Sequence, residues 1–178
     1  MSPTTLLTPD DLLTMPDGEH YEYINGHAVE KHMGAKSDKL SLRLGGWLDQ
    51  FVLLHGLGHV FGSSAGYRCF PRKVRKPDAS FVRAGRLPNE EVPDGDISLT
   101  PDLAVEVVSP NDLYEEVEEK LNDYRLAGVK LVWVVSPQSR TVLIRRLDGS
   151  ANLLPETGEL SGEDVVPGFT CKIADLFV

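Results

Sequence analysis

The chain has 178 residues, 41% of them hydrophobic and 25% charged, which is enough for one domain with a buried core over residues 1–178. A formal net charge of −9 argues against a nonspecific nucleic-acid coat, because phosphate contacts need concentrated Lys and Arg. The opening MSPTTLLTPDDLLTMP has neither a basic start nor a sustained apolar stretch, and Cys69 and Cys171 lack metal-ligand spacing, so the expectation is a cytoplasmic protein without membrane anchor or disulfide framework.

Thr8-Pro9-Asp10-Asp11 offers a capping hydroxyl, a proline for the first turn and an acid three residues on, which predicts a short helix ending near Pro16. In YEYI-NG-HAVE, Asn25-Gly26 between two extended segments predicts a β-hairpin with Glu22 on its first strand. From Ser37 to His55 the residues Leu40, Leu44, Trp47, Leu48, Phe51 and Leu54 recur at helical spacing, and Gly56 closes a long amphipathic helix. HVFG, GYRCF and DASFV read as strands, followed by an exposed, mobile Pro- and Gly-rich loop from Arg83 to Pro101. In the strand LAVEVV, Leu103, Val105 and Val107 point one way and Ala104, Glu106 and Val108 the other. Ser109-Pro110-Asn111-Asp112 then caps a helix that Gly128 ends. LVWVV and TVLIRR give two more strands, and Pro167-Gly168-Phe169 leads to a last strand and the apolar tail ADLF. The layout is α+β, with a central mixed sheet and a long helix packed on it.

One charge is out of place in this pattern. At about 100° per residue, Leu113, Val117, Leu121 and Tyr124 share one stripe of the second long helix, and Lys120 falls within roughly 20° of Leu113. An ammonium that faces the body of a protein needs a partner, since an unpaired buried charge costs several kcal/mol. Asp78, after Pro77, and Glu106, inside an apolar strand, are the acids that stand out. Two carboxylates on neighbouring strands suffice for Mg²⁺, or Mn²⁺ in its place, with the backbone carbonyl of Val108 as a third protein ligand. A lysine beside them can orient an attacking water, take its proton or offset negative charge. Tyr124 can bond a carboxylate or a water, and Glu22 can complete the acidic cluster.

Other signals read blandly. The basic clusters Lys31, Lys36, Lys39, Arg43 and Arg68, Arg72, Lys73, Arg75, Lys76 are expected to be solvated faces more often than binding patches. The five histidines show no zinc-binding spacing, and no serine sits in a nucleophile elbow.

Pro77-Asp78, then Glu106-x-Val108, then a lysine on the next helix resembles the restriction-endonuclease-like PD-(D/E)xK superfamily, with the usual lysine position held by Val108 and the charge moved to Lys120. More narrowly, YEYINGHAVE, PDLAVEVVSPND with KLNDYRLAGVKLVWVV, and SGEDVVPGFTCKIADLF are similar to blocks of the bacterial Uma-two family of endonucleases. Two positions depart from that family's pattern. Asn25-Gly26 replaces its usual Asp-Gly, and Lys36-Ser37-Asp38 stands where members often carry a histidine. The resemblance implies a restriction-endonuclease-like α/β/α core and a Mg²⁺-dependent nuclease whose site roles fall on Glu22, Asp78, Glu106 and Lys120. It further implies a nucleic-acid partner, DNA first, and a homodimer. The other reading is a noncatalytic dimeric binding or scaffold protein that keeps the fold and a vestigial site.

Overall fold

The computed structural model describes residues 6–31, 34–110 and 112–178. Helix α1 (Pro9–Thr14) opens on a reciprocal capping box, in which Thr8 accepts from the Asp11 backbone and the Asp11 carboxylate accepts from that of Thr8. The hairpin follows as β1 (Tyr21–Ile24) and β2 (His27–Glu30). Asn25 and Gly26 both take positive φ, 52° and 96°, the geometry whose twist matches antiparallel strands. Helix α2 (Ala35–His55) ends on Gly56 in the left-handed conformation. Its last turn leaves the packed stripe, so Leu54 is 79% exposed rather than part of the apolar face.

Then come β3 (Gly58–Gly62), β4 (Tyr67–Phe70), β5 (Lys73–Arg75), β6 (Ala79–Arg83) and β7 (Leu103–Val107). The segment between β6 and β7 is mostly exposed, as its composition predicts, but it is tied down at two points. Leu87 and Ile97 are buried, and the Ile97 backbone bonds to Gly66 and Arg68. Helix α3 (Tyr114–Leu126) leads to β8 (Leu131–Ser136), β9 (Thr141–Arg146) and β10 (Ala151–Leu154), then β11 (Glu159–Ser161), β12 (Thr170–Lys172) and α4 (Ile173–Leu176). Among the described residues no helix is long and apolar enough to cross a membrane.

The predicted central mixed sheet is present, in the order β10-β9-β8-β7-β6-β3 with β7 and β8 parallel. The hairpin does not join it. It belongs to a second sheet, β2-β1-β5-β4, and the chain passes from one sheet to the other between Arg75 and Ala79. On one face of the large sheet, Leu40, Leu44, Leu48 and Val52 of α2 pack against Leu103, Val105, Val107 and Trp133. Burial of each such side chain contributes about 1.5–3 kcal/mol. On the other face, Leu121 and Tyr124 of α3 meet Ala104, Val132 and Val134, with Tyr67 and Phe70 of the small sheet closing the layer. The alternation read in β7 therefore holds, and it turns Glu106 towards α3. Cys69 and Cys171 are half-buried free thiols against these two cores.

The start of α3 differs from expectation. Leu113 is the N-cap, contributes no side-chain bond and is 63% exposed, so it lies outside the apolar stripe. Asp112 instead accepts from the Ser109 backbone at 2.7 Å, closing a turn before the helix. Asn111, part of the expected cap, lies outside the described residues.

Candidate active site

The site lies at the seam between the two sheets, under α3. Glu106 is brought there by the pleat of β7, and Asp78 by the antiparallel pairing that sets Ala79 opposite Val105. Val107 N–H donates to Asp78 Oδ2 at 2.7 Å, locking that carboxylate to the neighbouring strand. Lys120, one turn before Tyr124 on α3, places Nζ 3.1 Å from Glu106 Oε2 and 3.6 Å from Glu22 Oε1. Tyr124 donates to Glu106 Oε1 at 2.5 Å. Glu22, Asp78, Glu106, Val108 and Lys120 all line one cavity of about 260 Å³.

Electrostatics within it are uneven. Burial pushes the Glu106 carboxyl up to about 7; Lys120 opposes the rise, and the nearby Asp78 and Glu22 charges add to it. Glu22 is as deeply buried, yet Lys120, Arg75 and the Lys76 backbone N–H outweigh burial and hold it below the ordinary carboxylate value. For Lys120, burial favours the neutral amine, but the carboxylates of Glu106, Glu22 and Asp78 win and keep it an ammonium well above its ordinary range. Tyr124, buried against Glu106, is raised well above the usual phenol value and stays a donor.

Two further cations, Arg75 and Lys31, complete the site. Arg75 bridges Glu22 (2.9 Å) and Asp123 (2.5 Å), and the Lys76 N–H donates to Glu22 Oε1 at 2.8 Å, so Glu22 is fixed from two sides. Lys31, just past β2, places Nζ 3.1 Å from Asp78 Oδ1 and 2.6 Å from the Lys76 carbonyl, with its side chain only 11% exposed. Neither cation stands out from its own stretch of sequence, since their acids lie 47 and 53 residues away. The available hint is the density of basic residues running into Pro77-Asp78, a density that suits internal pairing.

The basic clusters are thus neither solvated faces nor binding patches as a whole. Lys73 pairs with Glu119 and Asp123, Arg68 with Asp10 and Asp96, and the Lys76 ammonium donates to the Gly18 carbonyl. Lys39 and Arg43 bond carbonyls of the C-terminal segment.

The donor set suits a hard cation. Two carboxylates share one cavity wall, and no histidine or cysteine lines it. Seven carboxylates line the cavity against Lys31, Arg75 and Lys120. Among the described residues no three His, Cys, Asp or Glu side chains gather closely enough to enclose an ion. An ion held by these two carboxylates would have to complete its shell with water, the mode of binding Mg²⁺ adopts.

The family described as "Putative restriction endonuclease" (Uma2) matches residues 9–174. The chain belongs to the Uma2 family. A crystal structure of "a putative nuclease belonging to DUF820" from Anabaena variabilis is similar to this Uma2 chain in fold, with a TM-score of 0.81 over 96% of this chain and 97% of that one. The two share 22% sequence identity, so the likeness is one of architecture. No curated protein matches the chain. The α+β core and the Uma2 resemblance read from the sequence are both borne out.

Proposed function

We propose that this Uma2 protein is a Mg²⁺-dependent nuclease that hydrolyses phosphodiester bonds of nucleic acid, DNA in the first instance, with Mn²⁺ as an effective substitute. Asp78 and Glu106 are the protein's metal ligands in this reading, joined by the Val108 carbonyl. The observation that carries it is the convergence of three residues distant in sequence, Asp78, Glu106 and Lys120, on one cavity whose carboxylates outnumber its cations. Mg²⁺ bound there would supply charge stabilisation on a phosphate and a lowered pKa for an attacking water. Lys120, held as an ammonium, has no lone pair with which to take a proton; it orients water and offsets developing negative charge. Tyr124 fixes the Glu106 carboxylate, and Glu22, clamped by Arg75, holds the ammonium from its other side. A homodimer, with one site for each strand, is the assembly this reading expects.

One observation favours the noncatalytic alternative. Each carboxylate oxygen of Asp78 and Glu106 already has a protein donor, as a purely structural ion cluster would. Cleavage of plasmid and single-stranded DNA with Mg²⁺ or Mn²⁺ separates the two. Asp78→Asn and Glu106→Gln are expected to abolish both ion binding and cleavage, whereas Lys120→Ala keeps ion binding and loses turnover. A folded wild type that cleaves neither substrate with either ion supports the scaffold instead.

A further inference from the structure

We propose that Lys31 is a built-in counter-cation: it holds Asp78 Oδ1 in the ion-free protein and leaves it when a divalent ion binds, so that loading the site exchanges one cation for another. This rests on the metal-dependent reading of the same site. Of the two donors on Asp78, the Val107 N–H on Oδ2 is fixed in the strand, whereas the Lys31 ammonium on Oδ1 is carried by a flexible stem, so Oδ1 is the oxygen whose partner can leave. The ammonium is bonded to a carboxylate oxygen and a backbone carbonyl, 3.1 and 2.6 Å away. Those are the ligand types a hard cation takes.

Charge balance points the same way. Each inner carboxylate already faces a cation: Asp78 faces Lys31, Glu106 faces Lys120, and Glu22 faces Arg75, which Asp123 shares. A divalent ion on Asp78 would sit at close range to the cation already there and is repelled by it unless that cation withdraws. Arg75 is pinned between Glu22 and Asp123, and Lys120 between Glu106 and Glu22. Lys31 has somewhere to go. It also lines an adjoining open cavity of about 700 Å³ whose wall carries Asp17, Glu19 and Asp38. Its backbone N–H is bonded to the His20 carbonyl at 2.8 Å, so the exchange needs only rotation of a flexible four-carbon stem.

Two measurements on the full chain test this, both using Mn²⁺ as the probe. The first is amine-reactive labelling of Lys31, read by mass spectrometry with and without the ion. The second is calorimetric titration of wild type and Lys31→Met. Labelling of Lys31 is expected to rise several-fold on saturation, as the amine moves to the open cavity, and that of Lys120 not to rise. Lys31→Met is expected to bind Mn²⁺ about tenfold or more tightly than wild type, since a positive charge beside the ion is gone. Binding by Lys31→Met alone overturns the exchange, since Lys31 then blocks the site rather than leaving it. A wild type that binds Mn²⁺ while Lys31 labelling stays unchanged overturns the proposal and leaves the metal site standing. If neither protein binds, the metal reading falls and the exchange with it. Should Lys31→Met fail to fold, wild-type labelling alone decides.

Discussion

At the scale of single residues, Glu106 and Glu22 are buried carboxyls driven in opposite directions by their neighbours. Glu106, raised from 4.5 to about 7 by burial and by the Asp78 charge, contributes stability that is complete below its unfolded value and is lost as the pH rises through 7. Glu22, lowered despite its burial by Lys120 and Arg75, contributes stability above its unfolded value that is lost as the pH falls through its folded one. In urea unfolding without divalent ions, wild type is therefore expected to lose stability relative to Glu106→Gln as the pH is raised from about 5 to about 8. Saturating Mn²⁺ is expected to cancel that loss, because the ion favours the carboxylate. A wild-type midpoint that tracks Glu106→Gln across the window contradicts the assignment. The Glu106 and Lys120 partnership was open to sequence reasoning because each breaks a periodic apolar pattern. Lys31 and Arg75 break none: β2 is mostly exposed, and β5 is three residues with charged ends, so nothing local marks their partners.

At the scale of elements, α2 is the brace for the strands that carry the acids. Leu44 and Leu48 are fully buried on the face of the sheet opposite the site, while Leu42, on the same helix, is 74% exposed. Leu44→Ala is expected to cost about 2–5 kcal/mol in chemical denaturation, from lost transfer energy and the cavity left behind. Leu42→Ala is expected to change stability by less than about 0.5 kcal/mol. Equal effects at the two positions would place the helix in the wrong orientation. Long periodic elements such as α2, β7 and β8 were legible because 3.6- and 2-residue repeats persist over several turns or pleats. The strands β5, β10 and β11 were not, since three or four residues carry too little repeat to distinguish them from loop. The membership of the hairpin escaped as well, because its partner strand is β5, itself invisible in the pattern.

At the scale of the whole molecule, a chain of net charge −9 pairs four of its nine clustered cations, Lys31, Arg68, Lys73 and Arg75, with its own acids and turns Lys39, Arg43 and Lys76 to backbone carbonyls. Few remain for a phosphate backbone, and seven carboxylates face the candidate site. DNA binding with divalent ion is accordingly expected to show a shallow salt dependence, with a log–log slope no steeper than about −3, corresponding to roughly three neutralised phosphates. Binding without the ion is expected to be negligible. A steep slope, or tight ion-free binding, would point to a basic surface elsewhere and to recognition that does not run through the cavity.

Anomalous scattering from crystals soaked in Mn²⁺ tests the metal site most directly. The expected result is a peak within bonding distance of both the Asp78 and the Glu106 carboxylates, beside the Lys120 ammonium, that vanishes in Asp78→Asn. A saturating soak that leaves the cavity without a peak, or puts it beyond reach of either carboxylate, contradicts the assignment.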